Sequence, residues 1–182
     1  MRYAQIRNMD ISNGEHIGVS LFVQGCRFCC KGCFNKETWD FSGGKEWTQE
    51  IEDKFFDLID RPYIKRVSIL GGEPLAKENA SVVLDLIQKI KSKYPEKNIW
   101  LYTGYTFEEL CEMCCEEQIY NYFTDNVDKY ILLKNLQYVD VLVDGRYIDE
   151  LRDLTLKFRG SSNQRVVNVQ ESLKENKIVL YN

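Results

Sequence analysis

Apolar residues recur along the chain in two rhythms, short β-rich runs alternating with stretches of helical period. Val19 to Gln24 is the first such run and stops at Gly25, so it reads as a strand that delivers Cys26 into a loop at its C-terminal end. That loop continues to Gly43 and Gly44. Beyond it, Thr48 is placed to cap a helix whose apolar face is Ile51, Phe55, Leu58 and Ile59, and Pro62 marks the end. Arg66 to Leu70 forms a second strand, Gly71-Gly72-Glu73-Pro74 a turn, and the next helix keeps Val82, Val83, Leu86, Ile87 and Ile90 inside. A third unit follows, with Asn98 to Thr103 as strand, Gly104-Tyr105 as turn and a helix from about Phe107. Tyr138 to Val143 makes a fourth strand, closed by Asp144 and Gly145, and the stretch from about 118 to 137 reads in part as helix.

Repeated βα units predict an α/β fold with a mainly parallel sheet, right-handed crossovers and ligands gathered at the C-terminal ends of the strands. The cysteine loop, Gly71-Gly72, Thr103-Gly104 and Asp144-Gly145 all fall on that edge. No internal repeat, low-complexity tract or linker divides the sequence, so residues 1–182 are expected to form a single domain with the cysteine loop at about 25–44. A chain of this length buries roughly 70% of its unfolded surface.

Composition narrows the function. Apolar residues at 44% and charged residues at 29% exclude a disordered or fibrous protein. A formal charge of −4 and a pI near 5.2 leave no basic footprint, so neither nucleic acid nor an anionic membrane is an expected partner. With no apolar run of signal-peptide length and none near the roughly 20 residues of a membrane span, a cytoplasmic location is expected. Seven cysteines are an odd count, and in a reducing compartment they favour metal or thiol chemistry over disulfides. One histidine and no Ser/His/Asp arrangement argue against a hydrolase.

The chemistry concentrates in Cys26-Arg-Phe-Cys-Cys-Lys-Gly-Cys33, where Cys26, Cys30 and Cys33 stand in a Cys-x3-Cys-x2-Cys frame. A structural zinc takes four protein ligands and an ordinary four-iron cluster takes four cysteines, so three thiolates leave one metal position open. Spacing also admits a zinc completed by His16 or Cys29, and a closed cluster on four cysteines. Neighbouring Cys29 and Cys30 would then have to reach one centre together, which is awkward on an extended loop and favours Cys29 as a non-ligand.

Five blocks in order carry a resemblance. They are Gly25-Cys26-x3-Cys30-x-Gly32-Cys33-Phe34-Asn35-x-Glu37-Thr38-Trp39, Gly71-Gly72-Glu73-Pro74-Leu75, Thr103-Gly104-Tyr105, Val143-Asp144-Gly145-Arg146 and Arg159-Gly160-Ser161-Ser162-Asn163-Gln164. Through them the sequence resembles, from residue 1 to about 170, the radical S-adenosylmethionine activating proteins of glycyl-radical enzymes, those of anaerobic ribonucleoside-triphosphate reductase in particular. The resemblance implies a shortened, open (β/α) barrel and a 4Fe-4S cluster on Cys26, Cys30 and Cys33, with the fourth iron chelated by S-adenosylmethionine. It implies reductive cleavage of that cofactor, removal of a glycine hydrogen from the large reductase subunit, and a low-potential electron donor such as flavodoxin or ferredoxin. It also places Gly72 and Glu73 at the methionine end of the cofactor and Gly32, Cys33 and Phe34 beside its adenosine. The family often carries an aromatic residue just before the third cysteine, whereas this chain has Gly32 there and Phe34 just after.

The remaining features have plainer readings. Cys111, Cys114 and Cys115 share one helical face and read as buried small residues or as a second metal site. Arg159 to Arg165 reads as a polar loop near the mouth of the site, contacting partner or cofactor or satisfying its own backbone. His16, Trp39, Trp47 and Trp100 read as packing or loop-anchoring groups.

Overall fold

The computed structural model describes residues 1–115 and 136–181, which build a seven-stranded sheet in the order β3-β1-β2-β4-β5-β6-β7. The strands are β1 Arg2–Asp10, β2 Gly18–Val23, β3 Lys45–Glu46, β4 Arg66–Gly71, β5 Asn98–Tyr102, β6 Val141–Asp144 and β7 Arg165–Asn168. Four helices accompany them among the described residues: α1 Gln49–Ile59, α2 Lys77–Lys93, α3 Phe107–Cys115 and α4 Val169–Glu175. The central strands β2, β4, β5 and β6 are parallel, β1 and β7 flank them antiparallel, and β3 pairs antiparallel with the outer edge of β1.

The four central strands follow chain order across the sheet, with no reversal. Right-handed crossovers then all fall on the same face. Packing agrees: Val19, Leu21, Val67, Ile69, Ile99, Leu101 and Leu142 face a core shared with Phe55 and Ile59 of α1, Leu86, Ile87 and Ile90 of α2 and Leu110 of α3. Each fully buried side chain of this kind stabilises the fold by roughly 1.5–3 kcal/mol relative to exposure. In α2, Val83, Leu84, Leu86, Ile87 and Ile90 are buried, while Val82 sits half-buried at the margin of the stripe.

The helix ends are held by specific donors and acceptors. Thr48 caps α1 as expected, its hydroxyl accepting from Ile51 N at 3.4 Å. At the other end, the buried Lys97 ammonium donates to the carbonyls of Ile59 and Arg61, satisfying acceptors that the last turn leaves open. Strand β6 begins at Val141 rather than Tyr138, because Val139 N is committed to Leu136 O and pairing with β5 starts with Asp140 N donating to Ile99 O. The partly helical reading of about 118 to 137 falls on 116–135, outside the described residues.

Among the described residues, the opposite face of the sheet carries no α-helix. There Trp100, Val141 and Val143 pack with Phe158 and Tyr181, and the fully buried Arg66 donates to the carbonyls of Asp10, Asn13 and Glu15 in the β1–β2 connection. These groups close the end of that face away from the cysteines.

Candidate metal and cofactor site

The cysteine loop leaves β2 and is tied at both ends to backbone. Gly25 N donates to Thr38 O at 2.7 Å and Cys26 N to Trp39 O at 3.0 Å, so the chain returns beside its own point of departure. Gln24, buried, reinforces the closure through donation from Nε2 to the carbonyls of Glu37 and Asp40. Outside the closure, Arg27 forms a two-pronged ion pair with Glu78 at the start of α2 and lies 4.4 Å from the Phe41 ring centroid. Phe28 points the other way, edge-on to Tyr105 at 4.9 Å and beneath the Arg146 guanidinium at 4.5 Å.

Within that frame the cysteines separate into two kinds. Cys26, Cys30 and Cys33 are half-buried and line one cavity of about 630 Å³ at the C-terminal ends of the parallel strands. Cys29 is exposed and outside the cavity wall, its backbone in the left-handed region at φ 45° and its thiol turned to the Cys26 carbonyl at 3.5 Å. His16 is exposed at the start of β2, a strand's length of roughly 20 Å from the loop at its far end. Burial pushes the Cys26 thiol up to about 11, and the nearby Glu73 carboxylate adds to the effect. Burial also raises Cys30, with the neighbouring Cys33 adding to it and Arg146 opposing it. Cys33 Sγ accepts a hydrogen bond from Asn35 N at 3.4 Å.

The turn after β4 approaches this loop backbone to backbone. A Cβ on Gly72 would lie 2.5 Å from the carbonyl oxygen of Gly25, so a side chain at this position would push the two segments apart. Next to it, Glu73 N donates to the same Gly25 carbonyl at 2.8 Å. The Glu73 carboxylate is buried and accepts from Leu75 N at 2.9 Å and from the Thr103 hydroxyl and Gly104 N at 2.8 Å each. Burial pushes it up to about 7, against the pull of those three donors. Glu73 therefore clamps the end of β5 to the end of β4 while lining the cavity beside Gly71 and Gly72.

The other predicted residues divide. Phe34 lines the mouth, 52% exposed, with Tyr147 at 5.2 Å between ring centroids. Gly32 is not part of the wall: at φ 75°, it faces the Asp149 carboxylate, which a Cβ would meet at 2.3 Å. Arg159, Gly160 and Gln164 do reach the cavity, and the Gln164 amide accepts from Gly160 N and donates to Gly145 O at 2.9 Å each, so this loop both borders the site and satisfies its own backbone. Trp39 lines the cavity, Trp47 packs between Tyr3 and Phe55, and Trp100 is fully buried. Cys111 packs half-buried against the core, whereas the side chains of Cys114 and Cys115 lie outside the described residues.

Sequence reasoning missed Phe28, Tyr147 and Asp149. Phe28 carried a local signal, an aromatic inside the cysteine frame. Tyr147 and Asp149 follow the Asp144-Gly145-Arg146 block with no spacing that ties them to the loop.

The donor set fits an iron-sulfur cluster. Three half-buried thiols share one wall, close enough that charge on one raises its neighbour, and the fourth thiol of the loop points elsewhere. Among the described residues no three Cys, His, Asp or Glu side chains converge as ligands of a single ion would. In a cubane each thiolate takes its own iron.

Comparison with known proteins points the same way. The family model described as a 4Fe-4S single cluster domain matches residues 12–167. A Vibrio cholerae protein named anaerobic ribonucleoside-triphosphate reductase-activating protein is 42% identical over 166 residues, which cover 90% of this chain and 96% of that protein. Proteins of the same name from Salmonella typhi and Escherichia coli are 39% and 36% identical over 168 residues, covering 91% of this chain and 97% of each relative.

Proposed function

The chain belongs to the family of anaerobic ribonucleoside-triphosphate reductase-activating proteins, and we propose that it activates that reductase by generating a radical on one of its glycines. The observation that carries this reading is the placement of Cys26, Cys30 and Cys33, without Cys29, on a cavity wall shared with the Gly71-Gly72 turn. When bound, a 4Fe-4S cluster on these three cysteines supplies the electron that splits S-adenosylmethionine into methionine and a 5′-deoxyadenosyl radical able to take the glycine hydrogen.

The chain's own residues hold and orient. Cys26, Cys30 and Cys33 are the cluster ligands, and the closed loop keeps them on the cavity side. Gly72, whose Cβ position is taken up by the Gly25 carbonyl, holds the turn after β4 against the cysteine loop, and the methionine end of the cofactor lies along this turn with Glu73 beside it. Phe34 and the backbone at Cys33 border the adenosine, while Gly32 serves by letting Asp149 pack on the loop. Phe22, Leu70, Tyr102 and Val143 give the cavity an inner wall in which water has few partners. We read the monotonic strand order, with helices on one face and the cavity on the other, as a shortened, open barrel of the radical S-adenosylmethionine type. Its large open side suits a protein substrate. No helix among the described residues is long and apolar enough to cross a membrane. We further propose a cytoplasmic site of action and a low-potential electron donor such as flavodoxin or ferredoxin.

The test is anaerobic reconstitution with iron and sulfide, reduction in the presence of S-adenosylmethionine, and assay for 5′-deoxyadenosine, followed by addition of the reductase and EPR spectroscopy. Cofactor cleavage with a glycyl doublet is expected. Cleavage without the doublet would reject this partner and keep the chemistry; a protein that takes up zinc and no cluster would reject both.

A further inference from the structure

The segment between β6 and β7 crosses the cysteine loop and turns apolar side chains to solvent. The short 3-10 turn Asp149–Leu151 sits on the loop: Glu150 pairs with Lys31 at 3.3 Å, Tyr147 OH donates to Asp149 at 2.8 Å, and the Arg152 guanidinium lies 5.3 Å from the Phe34 ring centroid. The chain then makes an excursion closed by the bridge between Arg152 and Ser161, with Phe158 anchored against Trp100 at 5.0 Å. Leu154 on this excursion is 74% exposed, and Leu151, Ile148 and Phe34 beside it are 42%, 39% and 52% exposed. Phe34 and Leu154 line the cavity, and with Ile148 and Leu151 on the same crossing segment they make an apolar rim of the kind that marks an interaction site.

Charge around this rim is unbalanced in a definite direction. The carboxylates of the segment make local contacts and keep their charge: Asp149 accepts from Tyr147, Glu150 pairs with Lys31, and Asp153 accepts from the backbone and hydroxyl of Thr155. Arg146, Arg152, Lys157 and Arg159 form no ion pair among the described residues. A chain of net charge −4 nevertheless lines this cavity with three cations, Arg7, Arg146 and Arg159, against one carboxylate, the buried Glu73.

We infer that this rim is the docking surface for the protein substrate, and that it takes a segment bearing apolar side chains and carboxylates next to the target glycine. The inference rests on the proposed function. Its two halves do different work: the apolar side chains hold the complex, and the cations steer encounter and set orientation. Because the rim rests on Gly32 and Phe34, a docked segment also lies directly over the loop that holds the cysteines.

The experiment measures binding of the large reductase subunit to the cluster-loaded protein by biolayer interferometry at low and high salt, with sedimentation velocity of the protein alone. Leu154→Glu should weaken binding by about tenfold or more. Lys157→Glu, a change at an exposed side chain without packing, should weaken it and flatten its salt dependence. Leu173→Glu, on the exposed side of α4, should bind as the wild type does, and all three variants should keep the wild-type unfolding midpoint. Wild-type affinity in both Leu154→Glu and Lys157→Glu overturns the docking surface and leaves the functional reading intact. A wild-type dimer that these same variants dissociate would assign the rim to a second copy of this chain and overturn it too. A wild-type protein that cleaves cofactor yet never binds the reductase overturns the partner and the docking surface together.

Discussion

Gly72 meets the carbonyl of Gly25 so closely that its missing Cβ would lie 2.5 Å from the oxygen. Two strand ends, β2 and β4, touch through backbone alone, and the same oxygen receives the Glu73 amide. Gly72→Ala should therefore displace the point from which Cys26 departs. We expect a loss of about 1–3 kcal/mol in denaturant unfolding together with reduced iron content after reconstitution, and an alanine variant that loads a full cluster would contradict the contact's role.

The two sides of the loop predict different cysteine phenotypes. Cys29→Ser should retain iron, sulfide and the visible absorbance of the cluster, since its thiol is exposed and turned to the Cys26 carbonyl. Cys26→Ser, Cys30→Ser and Cys33→Ser should each lose them. Iron analysis of the four variants prepared in parallel is the check, and loss in Cys29→Ser would move that residue into the ligand set.

Glu73 gives stability an unusual dependence on pH. Its carboxyl is raised from 4.5 to about 7 by burial, so the folded protein holds a proton that the unfolded chain releases. The contribution is fully present below pH 4.5 and is lost as pH rises through about 7. A shift of this size corresponds to about 3 kcal/mol. Glu73→Gln removes it, so the stability difference between wild type and variant should shrink between pH 5 and pH 7.5, measured by urea unfolding at each pH. A difference that grows over that range would contradict the sign.

Arg165 joins β7 to two carboxylates. It donates to Asp144, which is 1% exposed, and through two nitrogens to Glu108 on α3 at 2.9 and 2.5 Å. Asp144 also accepts from Phe107 N at the start of that helix. Arg165→Met leaves the buried carboxylate without its cation and should cost about 3–5 kcal/mol, read from the shift of the urea midpoint. Asp144→Asn with Arg165→Met should recover part of that loss, because the buried charge goes with its partner.

How much of this was legible in the sequence follows from how each residue meets its neighbours. The parallel strands β2, β4, β5 and β6 are buried on both faces and announce themselves as continuous apolar runs ended by glycine. Strand β1 pairs with register shifts between Tyr3 and Gln5 and between Arg7 and Asp10, which break its alternation, and β3 is two exposed residues. Neither leaves a period to read. The cysteine frame and the glycine turns are local in sequence and were visible. Lys31 and Glu150 stand 119 positions apart, so the segment that crosses the loop becomes evident only in three dimensions. Gly32 shows the same limit from the other side: its motif position suggests a cofactor contact and says nothing of Asp149, whose carboxylate takes the space a Cβ would need.

The hydrogen bonds from Gly25 to Thr38 and from Cys26 to Trp39 close the cysteine loop with protein alone. In a small metal-dependent domain, the metal itself draws distant ligands together, and much of its binding free energy is spent on ordering the chain. Here the loop is closed by its own backbone hydrogen bonds, formed just beyond the end of β2. Loss of the cluster is therefore expected to leave these two hydrogen bonds in place, which hydrogen exchange at Gly25 and Cys26 in iron-free protein would check.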